Sequence, residues 1–222
     1  GLAGDALTTG YNNVVMGYNA LSAEDTGRKN VAIGVSALNA QNYGTDNLNT
    51  AVGFEAGLAV TTGVNNTFVG ANAGDGTDDG GNNVAVGKGA LSANCASDNT
   101  AVGTEALAIA TGSSNTAVGR LAGTAVTSGT QNTLVGALAG DALAVSYNNV
   151  AVGFEALSTD VNGRDSVALG ALALKTQNYG TSTYSHNVAV GTSAGTAITT
   201  GVENTLIGGL AGDALVDADE NT

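Results

Sequence analysis

The chain has no proline and no tryptophan, a single cysteine, a single histidine, and aromatic residues at only 4% of its 222 positions. So few large rings argue against one thick, jigsaw-packed core. Basic residues are also scarce: 6 Lys and Arg against 19 Asp and Glu leave a net charge of −13, and no basic cluster exceeds the Arg28-Lys29 pair. Phosphate backbones and anionic lipid surfaces are repelled by such a chain, so neither nucleic acid nor a membrane surface is expected as a partner. Cys95 has no second thiol to pair with inside the chain and reads as a small loop residue. No apolar run approaches the roughly 20 residues of a membrane-spanning helix. The first residues lack a basic-then-apolar signal, so any export or anchoring signal is expected outside this sequence. What is abundant is glycine, at 34 residues, beside an apolar fraction of 43% made mostly of Ala and Val. Small apolar residues suit a thin interior whose successive layers look alike.

Those layers are visible as a repeat. The phrase N-[VT]-x-[VIML]-G closes on Gly17, Gly34, Gly53, Gly70, Gly87, Gly103, Gly119, Gly136, Gly153, Gly170, Gly191 and Gly208, in steps of 16 to 21 residues, most of them 17. The twelve copies begin on Asn13, Asn30, Asn49, Asn66, Asn83, Asn99, Asn115, Asn132, Asn149, Asn187 and Asn204, with Ser166 in place of the remaining asparagine. After each glycine comes a second phrase, Ala-Leu or Ala-Gly, and the order AL, AL, AG, AG occurs three times. The chain therefore reads as one repeat array over 1–222, with four-coil super-repeats at about 17–86, 87–152 and 153–222, residues 1–16 being the end of a preceding one. GLAGDAL at 1–7 matches 209–215, which suggests a section of a longer array.

Each N-V-A-V-G phrase predicts a short strand whose central residue faces one way and whose flanking residues face the other. Both faces are apolar, as in Val84-Ala85-Val86. Strands apolar on both sides need cover on both. One face is expected to be covered by a return strand of the same coil, and the other by identical chains around a threefold axis. The central position enlarges to Phe68, Leu134 and Leu206 in the fourth coil of each group, which suggests a periodic gap to be filled. The closing glycines bend the chain where no Cβ is tolerated, and TTG, TSG and NYG triplets supply a second turn. The recurrent asparagines are expected to stack as a ladder of side-chain amides at roughly 4.8 Å per coil. The fold class is thus all-β, a parallel β-solenoid of about 17 residues per coil with twelve recognisable coils.

Repeats such as NVAIGVSAL and SVALGALAL resemble those in head domains of trimeric autotransporter adhesins, and NTAVGFEAG resembles repeats in bacteriophage tail-fibre proteins. The resemblance covers essentially the whole chain. It implies a left-handed β-roll, a homotrimeric fibre and an extracellular place on a cell surface or virion, with a cell-surface glycan or protein receptor as partner. The coils are longer than typical adhesin head repeats, which favours a phage fibre or a related surface fibre. The competing reading is a monomeric or laterally assembling structural solenoid without a receptor.

No cofactor is expected, and few residues suggest chemistry. VGTEAL at 102–107 fits the hexapeptide of left-handed β-helix acyltransferases, which need three such phrases per coil and a catalytic histidine; one recurs here, and the lone His186 has no Asp or Ser at an informative spacing. Thr61-Thr62, Thr127-Ser128 and Thr199-Thr200 recur too sparsely for an ice-binding array. Asp75, Asp78 and Asp79 share one loop and are a weak candidate for a hard cation such as Ca²⁺. Recognition is best sought where the frame is irregular. The phrase QNYG appears in two lengthened coils, at 41–44 and 177–180, the second followed by further inserted residues; Tyr43, Tyr179, Tyr184 and His186 are the candidate recognition residues, and Thr181 to Ser185 is expected to be dispensable for folding.

Overall fold

The computed structural model describes residues 1–222, which divide into two compact units, Gly1–Thr111 and Gly112–Thr222. Each is a parallel β-solenoid with one three-residue strand per coil, and neither contains a helix. In the first unit β1 (Val14–Met16), β2 (Val31–Ile33), β3 (Thr50–Val52), β4 (Thr67–Val69), β5 (Val84–Val86) and β6 (Thr100–Val102) stack in sequence order, every neighbouring pair parallel. The register places each central residue on the next, as Ala32↔Ala51↔Phe68↔Ala85.

In the second unit the same ladder runs through β7 (Thr116–Val118), β8 (Thr133–Val135), β9 (Val150–Val152), β11 (Val167–Leu169), β13 (Val188–Val190) and β14 (Thr205–Ile207). The lengthened coil adds a separate two-stranded sheet, β10 (Gly163–Arg164) with β12 (Thr183–Tyr184).

The central residue of each strand points inward. Ala32, Ala51, Phe68, Ala85 and Ala101 are fully buried, as are Ala117, Leu134, Ala151, Ala168 and Ala189, while most flanking residues are partly exposed. The wall facing the strand is built of turns, contrary to the return strand expected from sequence. Four residues per coil take positive φ, which permits a tighter return than a strand allows. These include the leucines of the Ala-Leu phrases, Leu21 at 48° and Leu91 at 55° among them. A left-handed L-residue costs roughly 1–2 kcal/mol. Burial of each leucine offsets it, since Leu21, Leu38, Leu91 and Leu107 are wholly inside. Coil-to-coil hydrogen bonds also cross this wall, as from Leu21 N to Ala37 O and from Gly57 N to Ala73 O, both 2.9 Å.

Ala-Gly coils use the same left-handed position differently. Gly57 and Gly74 have φ of 61°, and Cβ atoms added there would lie 2.9 and 2.5 Å from the Phe68 ring. The ring occupies the volume that leucine fills elsewhere. Leu134 against Gly140, and Leu206 against Gly195 and Gly212, repeat the exchange in the second unit. The enlarged central residues therefore fill space vacated by glycine inside the coil.

The asparagines stack with amide-to-amide hydrogen bonds at several steps, as Asn132 Nδ2 to Asn115 Oδ1 at 3.0 Å and Asn204 Nδ2 to Asn187 Oδ1 at 3.1 Å, and the ladder is tied to the backbone as well. Each Oδ1 chiefly accepts the backbone N–H of the next ladder residue, as Asn30 on Asn13, Asn66 on Asn49 and Asn83 on Asn66, at 2.8–2.9 Å. Many Nδ2 groups donate to a turn carbonyl fourteen positions on, as Asn49 to Gly63 and Asn66 to Gly80. In the second unit Asn149 receives the Ser166 N–H and Asn204 that of Asn221, a ladder member outside the repeat phrase. Each side chain thereby satisfies buried backbone groups that would otherwise cost about 1–3 kcal/mol apiece.

Candidate functional site

The irregular surface of each unit begins with a buried carboxylate. Glu24 is fully buried and accepts from Gly27 N at 2.7 Å, Gln41 Nε2 and Asn47 Nδ2 at 3.1 Å, and Tyr43 N at 3.2 Å. In the second unit Asp160 accepts from Gln177 Nε2 at 2.6 Å and Gly163 N at 2.9 Å. Both acids anchor the base of a lengthened coil from the coil before it. The glutamines of the shared QNYG phrase are therefore interior brackets, and their side chains are not available at a loop tip.

Tyr179 is likewise interior, 4% exposed, with its hydroxyl donating to Gly201 O at 2.7 Å and accepting from Asn187 Nδ2 at 3.1 Å. Burial pushes its phenol well above the ordinary tyrosine range. It is excluded as a recognition residue because its polar end is consumed inside the fold. Tyr43, Tyr184 and His186 do reach the surface. Ser185 is buried and donates to Arg164 O at 2.8 Å, so the expectation that Thr181 to Ser185 is dispensable narrows to exposed Thr181 and Ser182.

Above this base stands a column of rings and charge. The Arg164 guanidinium carbon lies 4.7 Å from the Tyr147 ring centre and 5.4 Å from that of Tyr184. Tyr184 in turn lies nearly parallel to the His186 ring, 5.9 Å away at 23°. Asp165 Oδ2 is 3.7 Å from His186 Nε2, and Glu203 Oε1 is 3.9 Å from Nδ1, both beyond hydrogen-bond range. No pocket opens on the protein.

No protein-family model, no curated protein and no solved structure matches this chain. The surface has to be read from its own geometry.

Asp75, Asp78 and Asp79 do not converge: Asp75 accepts from Asn72 Nδ2 at 3.1 Å, Asp78 accepts from the Thr61 hydroxyl, and Asp79 is exposed. No group of three or more His, Cys, Asp or Glu side chains is placed to hold a metal ion. The threonines of the TTG and TSG triplets are bonded to neighbouring coils, Thr127 to Ala144 O and Thr199 to Asp217. Cys95 is buried against the Thr77 hydroxyl at 3.2 Å, and burial pushes its thiol pKa up.

One buried and two half-buried acids give this fold a pH signature. Burial raises the carboxyl pKa of Asp75, Asp141 and Asp160 above the ordinary range. The native state then holds protons that the unfolded chain has released above about pH 4. Stability therefore falls as pH rises from there through the folded-state values. Asp46 and Asp217 are shifted the other way by hydrogen bonds from Lys29 and from Thr199 and Thr200, and act only below about pH 4. The thermal midpoint should be higher near pH 4 than at pH 8, and Asp160→Asn should flatten that slope. A midpoint that drops on acidification from 8 to 4 would contradict the assignment.

Proposed function

We propose that the chain is a structural and adhesive segment of an extracellular homotrimeric fibre, of the phage tail-fibre or surface-adhesin kind, wound as a left-handed β-roll. Its role is mechanical and non-catalytic: it displays a multivalent host- or surface-binding face. The observation that carries this reading is the outward face of the sheet. The third residue of every three-residue strand is apolar and stacked on its neighbours, from Met16, Ile33 and Val52 to Val102 in the first unit and from Val118 to Ile207 in the second. Within the ladder Val69, Val118 and Val152 are 37–38% exposed, and at its end strands Met16 and Ile207 reach 64% and 70%. Phe54 and Phe154, each two residues beyond its strand, are also half exposed.

A continuous apolar rank of this kind marks an interaction surface. It advances by one residue per strand spacing, roughly 4.8 Å. A partner with the same rise can oppose every residue, and another copy of the chain has that rise. Charge points the same way, since a chain of net −13 associates with itself only through a face that carries no carboxylate. Three chains would present any weak site three times, and avidity would raise the strength of attachment.

Light scattering behind a sizing column tests the association. A single species at three times the 21.4 kDa chain mass is the expected result. Val152→Glu, on the outward face, should dissociate it without unfolding the coil. A monomeric wild-type chain would overturn the trimer, and open-ended growth would favour the laterally assembling matrix protein.

A further inference from the structure

The two lengthened coils are built on one plan, and their differences are informative. In the first unit Tyr11 lies under Arg28, with the guanidinium carbon 4.9 Å from the ring centre, and Arg28 bridges to Asp46 in the next coil. Asp46 closes that surface with ion pairs to Lys29 at 2.7 Å and Arg28 at 3.8 Å. In the second unit Tyr147, Arg164 and Tyr184 stand at the corresponding places, Arg164 pairing with Tyr184 in the small sheet. Here the acid that answers the arginine has become an aromatic ring. Lys29 corresponds to Asp165, and Leu48 to His186. A self-neutralised corner has thus been replaced by an exposed tyrosine ring on Arg164, next to an imidazole that stands between two carboxylates.

Folding does not require this replacement, because the first unit builds the same corner without it. Tyr184 is 60% exposed although its ring is held against Arg164. Arg164 Nε is buried with no hydrogen-bond partner, an unmet donor that the ion-paired version of the corner has no counterpart for. The result is a fixed ring that reaches solvent, next to an imidazole with two acceptors at its sides.

We propose that Tyr184 and the His186 ring beside it, with the carboxylates of Asp165 and Glu203 flanking the imidazole, form a binding site for a neutral sugar residue of a surface glycan. A tyrosine ring supplies rigid amphipathic contact area at low entropic cost and packs against the C–H face of a sugar. Ionised carboxylates only accept hydrogen bonds, which suits the hydroxyl donors of a hexose. The exposed hydroxyls of Thr181 and Ser182 lie on the same insertion. Sialic acids, uronic acids and phosphorylated sugars meet the negative field of Asp165, Glu203 and a chain of net −13. A specific protein interface engages about 20–30 residues a side, and this corner offers a handful. A shallow site without a pocket binds one sugar weakly. The inference rests on the fibre reading only for the multivalency that makes such a site useful.

The test is binding of the intact chain to immobilised neutral glycans, hexose and N-acetylhexosamine polymers, with sialylated and uronic-acid glycans alongside. Retention on at least one neutral glycan is expected, with none on the acidic set. Tyr184→Ala should lower that retention at least tenfold. Tyr184→Asp, which installs the residue of the closed corner, should do the same with an unchanged thermal midpoint. Tyr43→Ala should leave binding intact. No retention on any neutral glycan, retention on acidic glycans alone, full binding by either Tyr184 variant, or capture of a protein receptor only would each overturn the proposal. Light scattering on the same samples separates the two readings. A trimer that ignores neutral glycans defeats the sugar site alone, and a monomer that binds them through Tyr184 defeats the trimer alone.

Discussion

Phe68→Ala should destabilise the first unit by about 3–5 kcal/mol, the usual cost of emptying a phenylalanine site in a core. The site has little means to collapse, because the ring's neighbours at Gly57 and Gly74 have no side chains that might lean in. Gly74→Leu alone should also be strongly destabilising, since its Cβ would stand 2.5 Å from the ring. Combined, the two changes should largely cancel. Ala at 68 with Leu at 74 reproduces the composition of the following coil, where Ala85 and Leu91 are both fully buried and Leu91 holds φ of 55°. Urea unfolding of the two single variants and the double variant gives the coupling energy. A coupling of several kcal/mol in favour of the double variant is expected, well above the few tenths seen for independent sites. Additive losses would mean that the ring and the missing leucine do not share one volume.

A larger loss is expected from Gly53→Ala. Gly53 closes β3 with φ of 147°, and its Cβ would collide with the carbonyl group of Gly70 in the next coil. Both faults fall on backbone. The φ lies beyond the left-handed region that other residues visit at modest cost. The Gly70 carbonyl cannot retreat without loosening the parallel pairing of β3 with β4. A cost above about 4 kcal/mol follows, in the range set by a few severe mechanisms. Gly180→Ala is the matched control, since nothing lies within 4 Å of its would-be Cβ, and it should change stability by less than about 0.5 kcal/mol. Equal midpoints for the two variants would refute the collision.

These predictions start from features whose positions, though not roles, were legible in the sequence. The recurring glycines and asparagines located each three-residue strand and the bend that closes it, because a solenoid returns to the same chemistry once per coil. Which apolar face is inside was not legible from alternation, since alanine and valine both read as buried. Volume decides it: the narrow coil admits alanine at the centre of the strand, beside leucine, and leaves the flanking strand residues at the outside. A signal was available in the repeats themselves, where glycine replaces leucine in the coils next to Phe68, Leu134 and Leu206. The turn wall was harder to foresee, because nothing in the residue type marks Leu21 or Glu55 as left-handed. At the lengthened coils, the glutamines of the shared QNYG phrase are interior brackets and not loop-tip groups. Gln41 and Gln177 are held by buried acids seventeen residues earlier, a partnership visible in sequence only once the coil length is used as a ruler.

The exchange of leucine for glycine and a large central residue also constrains how such genes change length. A crossover that removed a single Ala-Gly coil would bring Phe68 against a leucine-bearing neighbour on one side, and one that duplicated an Ala-Leu coil in the wrong place would do likewise. Deleting or adding four coils preserves every facing pair. Recombination within the array should therefore leave viable descendants whose lengths differ by whole super-repeats, with the bracketed corners travelling as inherited cassettes.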